Sequence, residues 1–195
     1  GKQTLFSKAL VNAKLFADSF DLVENILHQA IGLDFGTTNS ALALANPDRT
    51  IQLAQFAGSS TFRSILYFDE DDNGRANKLR VVTGPDAIDG YLNAKTPGRL
   101  IQSTKSYLAS RLFQKTQILG ANYSLEELIG ILLRQLRQAV EKQFGNMGTT
   151  VVVGRPVHFS GTRNDSDDEF AVNRLRSAFA KAGFDDVHFL PEPVA

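Results

Sequence analysis

Ile31-Gly32-Leu33-Asp34-Phe35-Gly36-Thr37-Thr38-Asn39-Ser40 sets an apolar run against a polar bend, and a second apolar run follows as Ala41-Leu42-Ala43-Leu44-Ala45. That pattern predicts strand, tight turn, strand. The bend supplies a glycine that lets backbone come close to a ligand, two hydroxyls and several amide donors. Asp34 stands just before it, where the first strand ends. Amides and hydroxyls suit phosphate oxygens, whereas a carboxylate repels them unless a divalent cation lies between. The hairpin therefore suggests a magnesium–nucleotide phosphate site. Gly, Thr and Asn are also the residues of any ordinary turn, and spacing alone leaves the two readings level.

Outward from this stretch, the chain behaves as a globular protein. It has 195 residues, 43% hydrophobic and 22% charged, enough to bury a real core. Lys plus Arg and Asp plus Glu both number 21, a balance that argues against a nucleic-acid or anionic-membrane partner. There is no Cys, which excludes disulfides and thiolate metal sites and is compatible with the cytoplasm. No apolar run reaches the roughly 18 residues needed to span a bilayer.

Upstream, Phe6, Leu10, Ala13, Phe16, Phe20, Val23 and Leu27 recur at helical spacing, so residues 1–30 are expected to form an amphipathic helix. Downstream, Ile51–Phe56 and Phe62–Phe68 read as strands, and Asp69–Gly74 as a solvated hairpin tip. Val81–Thr83 leads into a helix opened by Pro85. Tyr123–Phe144 is the strongest helix, with a capping box of Ser124 and Glu127, an apolar stripe from Leu125 to Phe144, and Gly145 as its stop. Thr149–Gly154 reads as a strand buried on both faces. A helix over Asp168–Ala182 and a strand over Asp186–Leu190 follow, and this alternation predicts a mixed α/β sheet flanked by helices. His158 is a single imidazole with no acidic orienter nearby in sequence, which argues against a catalytic base. A lone Lys105 among polar residues reads, by itself, as solvated, and Glu192 reads as a loop residue between two prolines.

Leu33–Ser40 resembles the first phosphate motif of the DnaK-type (seventy-kilodalton heat-shock) chaperones, members of the actin, hexokinase and heat-shock ATPase superfamily. Phe35 departs from the aliphatic residue usual there, and Arg63-Ser64 fills a step that is normally Pro-Ser. Leu100–Leu108 is similar to the family's "K-R-L-I/L-G" step and puts Lys105 on its catalytic lysine, with Arg111 a second candidate. Gly154-Arg155-Pro156-Val157-His158-Phe159 resembles "V-P-A-x-F", with Pro156 at the switch proline, in the "G-R-P" form of the YegD-like branch. Arg163 stands near the place of the arginine coupled to that proline. Glu192-Pro193-Val194-Ala195 matches "E-P-x-A", the most specific of the four.

The resemblance, running from Ile31 to Ala195, implies a ribonuclease-H-like fold and an ATPase module that binds ATP or ADP with Mg2+ in the cytoplasm. Gly36, Thr37, Thr38 and Asn39 would hold phosphate oxygens. Asp34 and Glu192 would act on the metal through water, Lys105 on the transferred phosphoryl group, and Pro156 would relay nucleotide state. Co-chaperones and clients are the partners implied. Family modules continue into a second phosphate motif and an adenosine-binding lobe, so residues 31–195 are expected to be a first lobe that binds ATP weakly or not at all. Residues 1–30 fall outside the match. Two alternatives compete: a non-catalytic interaction module that kept the fold, and a sugar or acetate kinase of the same superfamily, ranked lower because such kinases lack the lysine step and E-P-x-A.

Overall fold

The computed structural model describes residues 30–46, 48, 50–70, 79–162 and 164–191. The expected N-terminal helix, the acidic tip beyond Glu70, Arg163 and Glu192 lie outside the described residues.

Four strands come first: β1 (Ala30–Asp34), β2 (Asn39–Ala45), β3 (Ile51–Leu53) and the short β4 (Phe62–Arg63). Next are β5 (Ile65–Glu70), β6 (Leu79–Thr83), helix α1 (Pro85–Leu92), β7 (Arg99–Gln102) and a 3₁₀ turn (Thr104–Tyr107). A hairpin of β8 (Lys115–Ile118) and β9 (Ala121–Ser124) leads into α2 (Leu125–Phe144), β10 (Thr150–Arg155), α3 (Asp165–Lys181) and β11 (Asp186–Pro191).

The principal sheet has six strands in the order β11-β10-β1-β2-β3, with β4 paired to β2. β1 lies parallel to β10 and antiparallel to β2, and β10 lies parallel to β11. The sheet is mixed, as the alternation of helices and strands predicts, because parallel neighbours need a helical crossover while β1 and β2 need only a turn. A second sheet, β6-β5-β7, carries α1, whose Ala87 packs with Ile65 and Tyr67 of β5.

Alternation along β2 sorts its side chains by face. Leu42 and Leu44 join Ile31, Leu33, Val151 and Val153 in the main core under α2 and α3. Ala41, Ala43 and Ala45 form a separate buried cluster. Helix α2 is fixed at its start by the expected capping box: the Ser124 hydroxyl accepts the Glu127 amide at 3.2 Å, and the Glu127 carboxylate accepts the Ser124 amide at 2.7 Å. It ends at Gly145, whose φ of 82° suits only a residue without Cβ.

Several boundaries move, and the strand expected over Phe62–Phe68 divides into β4 and β5. Tyr123 belongs to β9 rather than to α2, and β3 stops at Leu53 rather than Phe56. α3 begins at Asp165, capped by Asn164, whose side chain accepts the Asp167 amide at 3.0 Å. The acidic run Asp165, Asp167 and Asp168 is thus the first turn of a helix, where negative charge meets the positive end of the helix dipole.

Candidate functional site

The carboxyl ends of the parallel strands β1, β10 and β11 define one edge of the sheet, the position at which open α/β sheets take ligands. Register fixes which residues share it: Asp34 lies beside Gly154, which lies beside Leu190, and Arg155 lies beside Pro191. Two segments singled out in the sequence, the Asp34–Asn39 bend and the start of the Pro156 segment, therefore meet here. Pro191, the last described residue, ends at this edge; the site role expected of Glu192 lies outside the described residues.

Asp34 is only 4% exposed, a carboxylate held at the end of a buried strand. Past it the chain reverses so tightly that a Cβ on Gly36 would stand 2.1 Å from the Asn39 carbonyl oxygen. Only glycine closes this turn. The bend is braced from outside by Ser64, whose amide donates to the Thr38 carbonyl at 2.9 Å and whose hydroxyl pairs with that of Ser40 at 2.9 Å. Arg63 donates to the Asn39 side-chain carbonyl at 3.1 Å. Thr38 is exposed and Thr37 and Asn39 are half-buried. Among the described residues the two threonine hydroxyls have no protein partner.

Such a donor set fits phosphate oxygens. The metal chemistry fits too, because Mg2+ is usually held by one or two carboxylates plus substrate phosphates rather than by an all-protein cage. Among the described residues no group of three or more His, Cys, Asp or Glu side chains could hold a metal by itself.

Lys105 reaches this edge from 70 residues away: its ammonium donates to the Phe35 carbonyl. The amine also lies 5.8 Å from the centre of the Phe35 ring, within cation–π range. The solvated alternative does not describe this lysine, which is half-buried against the bend. Its placement follows from what flanks it. β7 ends at Gln102, and Ser103 then takes a left-handed conformation (φ 58°) that is uncommon outside glycine and often marks functional strain. Leu108, fully buried in the main core, anchors the other side. The Thr104 hydroxyl beside Lys105 is buried without a hydrogen-bond partner. The unusual Phe35 also has a role: it packs edge-on against Phe179 of α3 at 6.5 Å between ring centres.

Beyond β10, the segment from Pro156 to Thr162 is pinned to the first turn of α3. The Asp168 carboxylate accepts the Phe159 amide at 2.9 Å and bonds Nδ1 of His158. The His158 contact holds the Asp168 carboxyl below the usual carboxylate range against the opposing effect of burial. His158 therefore does have an acidic orienter, contrary to expectation; ten positions separate the two in sequence, and the fold closes the gap. Arg111 does not share the place of Lys105. Its guanidinium turns to α3, where it bonds Asp167 at 3.2 Å and covers the Phe170 ring at 4.5 Å.

The chain that builds this edge has relatives among known proteins. The family described as Hsp70 protein matches residues 30–193. The chain belongs to the Hsp70 family. The chaperone protein DnaK of Mycoplasmopsis pulmonis (strain UAB CTIP) is 27% identical over 167 residues, covering 85% of this chain and 24% of that protein. The chain thus spans about a quarter of the length of that relative. The mixed sheet flanked by helices is the actin-like, ribonuclease-H-like architecture of Hsp70 ATPase domains.

Within this Hsp70 frame, two charged residues of α3 escaped the sequence reading. Asp168 and Arg174 are 8% and 6% exposed, on the same stripe as Ala171, Leu175, Ala178 and Phe179. Charges at helical spacing on an apolar face are rarely buried unless they are paired, and that is the signal that could have found them.

Proposed function

We propose that residues 31–195 are the first lobe of an ATP-binding and ATP-hydrolysing module of a DnaK-like chaperone, on the YegD-like branch indicated by Gly154-Arg155-Pro156. The observation that carries this is the approach of Lys105 to the Phe35 carbonyl, inside the bend that Asp34 introduces. The family places such modules in the cytoplasm with nucleotide, co-chaperones and clients as partners, and those assignments belong to the same proposal.

Phosphoryl transfer needs little covalent help from the protein, so positioning and charge do the chemistry. The amides of Gly36 to Asn39 and the hydroxyls of Thr37 and Thr38 hold phosphate oxygens. Asp34 and, through water, Glu192 would hold Mg2+, which would supply positive charge to offset that of the phosphates. Lys105 exchanges its bond to Phe35 for the phosphoryl oxygens and stabilises charge developing there. Pro156, just past the end of β10, whose Gly154 lies beside Asp34, passes the state of the site into the segment that Asp168 pins to α3.

In a longer chain that carries the second lobe, Lys105→Ala should slow phosphate release by about a hundredfold or more. Equal turnover would remove the lysine from the mechanism. For the 195-residue chain itself, calorimetry should detect weak ATP–Mg2+ binding or none; micromolar binding would show that one lobe suffices.

One observation favours a second reading, a non-catalytic module that kept the fold: the Lys105 ammonium is already engaged by the Phe35 carbonyl. In that case Lys105→Ala lowers stability and leaves no turnover to lose.

A further inference from the structure

We infer that Arg174 is a positioning residue for Lys105, an inference that rests on the proposed role of that lysine. Arg174 sits on the inner stripe of α3, 6% exposed, and its guanidinium faces the segment that follows the 3₁₀ turn. It donates to the carbonyls of Ser110 and Phe113 at 3.0 Å each and reaches that of Tyr107 at 3.5 Å. Its Nε bonds Glu126 in the first turn of α2. The guanidinium also lies 5.3 Å from the centre of the Phe170 ring. Burial pushes the Glu126 carboxyl up, but Arg174, the helix backbone and Ser124 together outweigh it and hold that carboxyl below its ordinary value.

The gripped segment is one mechanical unit with Lys105. The Ser106 amide donates to Ser103, Leu108 to Lys105, Ser110 to Tyr107 and Phe113 to Ser110, each across one tight turn. The lysine occupies the near half of this series and Arg174 holds the far half. No regular strand or helix supports residues 108–113. Leu108 in the core, Ala109 and Phe113 packed against it, and the exposed Arg111 against α3 hold them by side chains. The Arg174 guanidinium is the buried group that holds their backbone carbonyls. The task suits arginine alone: five donors in a planar fork reach several carbonyls and a carboxylate at once, whereas the single ammonium of lysine cannot.

Arg174→Lys keeps the charge facing Glu126 and loses the fork; Arg174→Met loses both. In the 195-residue chain, hydrogen exchange should quicken about tenfold at the amides of Ser106, Leu108, Ser110 and Phe113 in Arg174→Lys, with β10 and the middle of α2 unchanged. Unchanged exchange in that segment overturns the inference. In the longer chain, the same substitution should lower kcat about tenfold or more while leaving KM for ATP within about twofold, as expected when a group is misplaced rather than removed. The loss should vanish in a Lys105→Ala background, because the two residues act through one group. If Arg174→Lys multiplies the Lys105→Ala defect by the same factor as it slows the parent, Arg174 acts on stability alone and the inference fails. Normal turnover in Arg174→Lys beside slow Lys105→Ala overturns the inference and spares the site. Normal turnover in Lys105→Ala overturns the site, and the inference falls with it. Should Arg174→Met fail to fold, Arg174→Lys still decides every outcome.

Discussion

Helices α2 and α3 pack against each other over the same sheet, yet they bury opposite kinds of residue. The buried face of α2 is Leu125, Leu128, Ile129, Gly130, Leu132, Leu133, Leu136 and Val140, with no charge on it. The buried face of α3 includes Asp168 and Arg174. Both charges leave the helix for loops at the site: Asp168 for the segment after β10, Arg174 for the segment after the 3₁₀ turn. A helix that only fills space needs shape and apolar area. A helix that holds irregular backbone must supply partners for carbonyls and amides that no ladder satisfies. α2 makes the core; α3 fastens the two candidate-site segments to it.

The largest effect that tests this contrast lies in α2. Leu133 is fully buried in the main cluster. Leu133→Ala should cost about 2–5 kcal/mol in urea denaturation, the transfer term plus a cavity that the sheet cannot close. Hydrogen exchange at Ser110 and Phe113 should rise only as far as global stability falls. A cost below about 1 kcal/mol would deny α2 its place as core.

Asp168 comes next. Asp168→Ala leaves the Phe159 amide, in a buried residue, without its acceptor, for an expected loss of about 1–3 kcal/mol. Its pH dependence has a defined sign. The folded-state carboxyl of Asp168 is depressed below the ordinary aspartate value of 3.8, chiefly by His158. Its contribution is therefore complete above that value and is lost as pH falls through the lower, folded value. Wild-type stability should fall more steeply than that of Asp168→Ala as pH drops below about 4. Parallel acid limbs would show that the carboxylate contributes nothing through its charge. Ser124→Ala, which removes one half of the α2 capping box, should cost about 1 kcal/mol and leave the Pro156 segment untouched.

The same contrast explains what could be read from the sequence. α2, β10 and the β1–β2 hairpin follow from periodicity, capping and turn residues because each satisfies itself locally. β8 and β9 carried no such signal: Leu119 and Gly120 both have positive φ (46° and 83°), and a leucine stands where hairpin turns favour Asn or Asp. Tyr123 was assigned to α2 for that reason. At the candidate site, Asp34 to Asn39 gather groups suited to phosphate in one short stretch that also reads as an ordinary turn, and Lys105 is a candidate only through the family resemblance. Asp168 with His158, and Arg174 with Ser110 and Phe113, are pairings across the chain that no local pattern encodes. Their one sequence trace, charge on an apolar helical stripe, says that a partner exists and not which one.

Arg111 gives the smallest expected effect and the sharpest control. Like Arg174, it covers Phe170 of α3, at 4.5 Å against 5.3 Å for Arg174. Unlike Arg174, its side chain is 54% exposed, and its ion pair with Asp167 spans 3.2 Å in the open. An exposed pair gains little over hydration and is screened by salt, so Arg111→Ala should cost under about 1 kcal/mol, less still at high ionic strength. It should also leave exchange at Leu108 and Phe113 close to that of the parent chain. If Arg111→Ala loosens those amides as much as Arg174→Lys does, proximity to Phe170 governs the segment and the buried fork does not. If it costs little and loosens nothing, two arginines on one ring separate by burial alone: one decorates the surface of α3, and the other ties its core to the lysine.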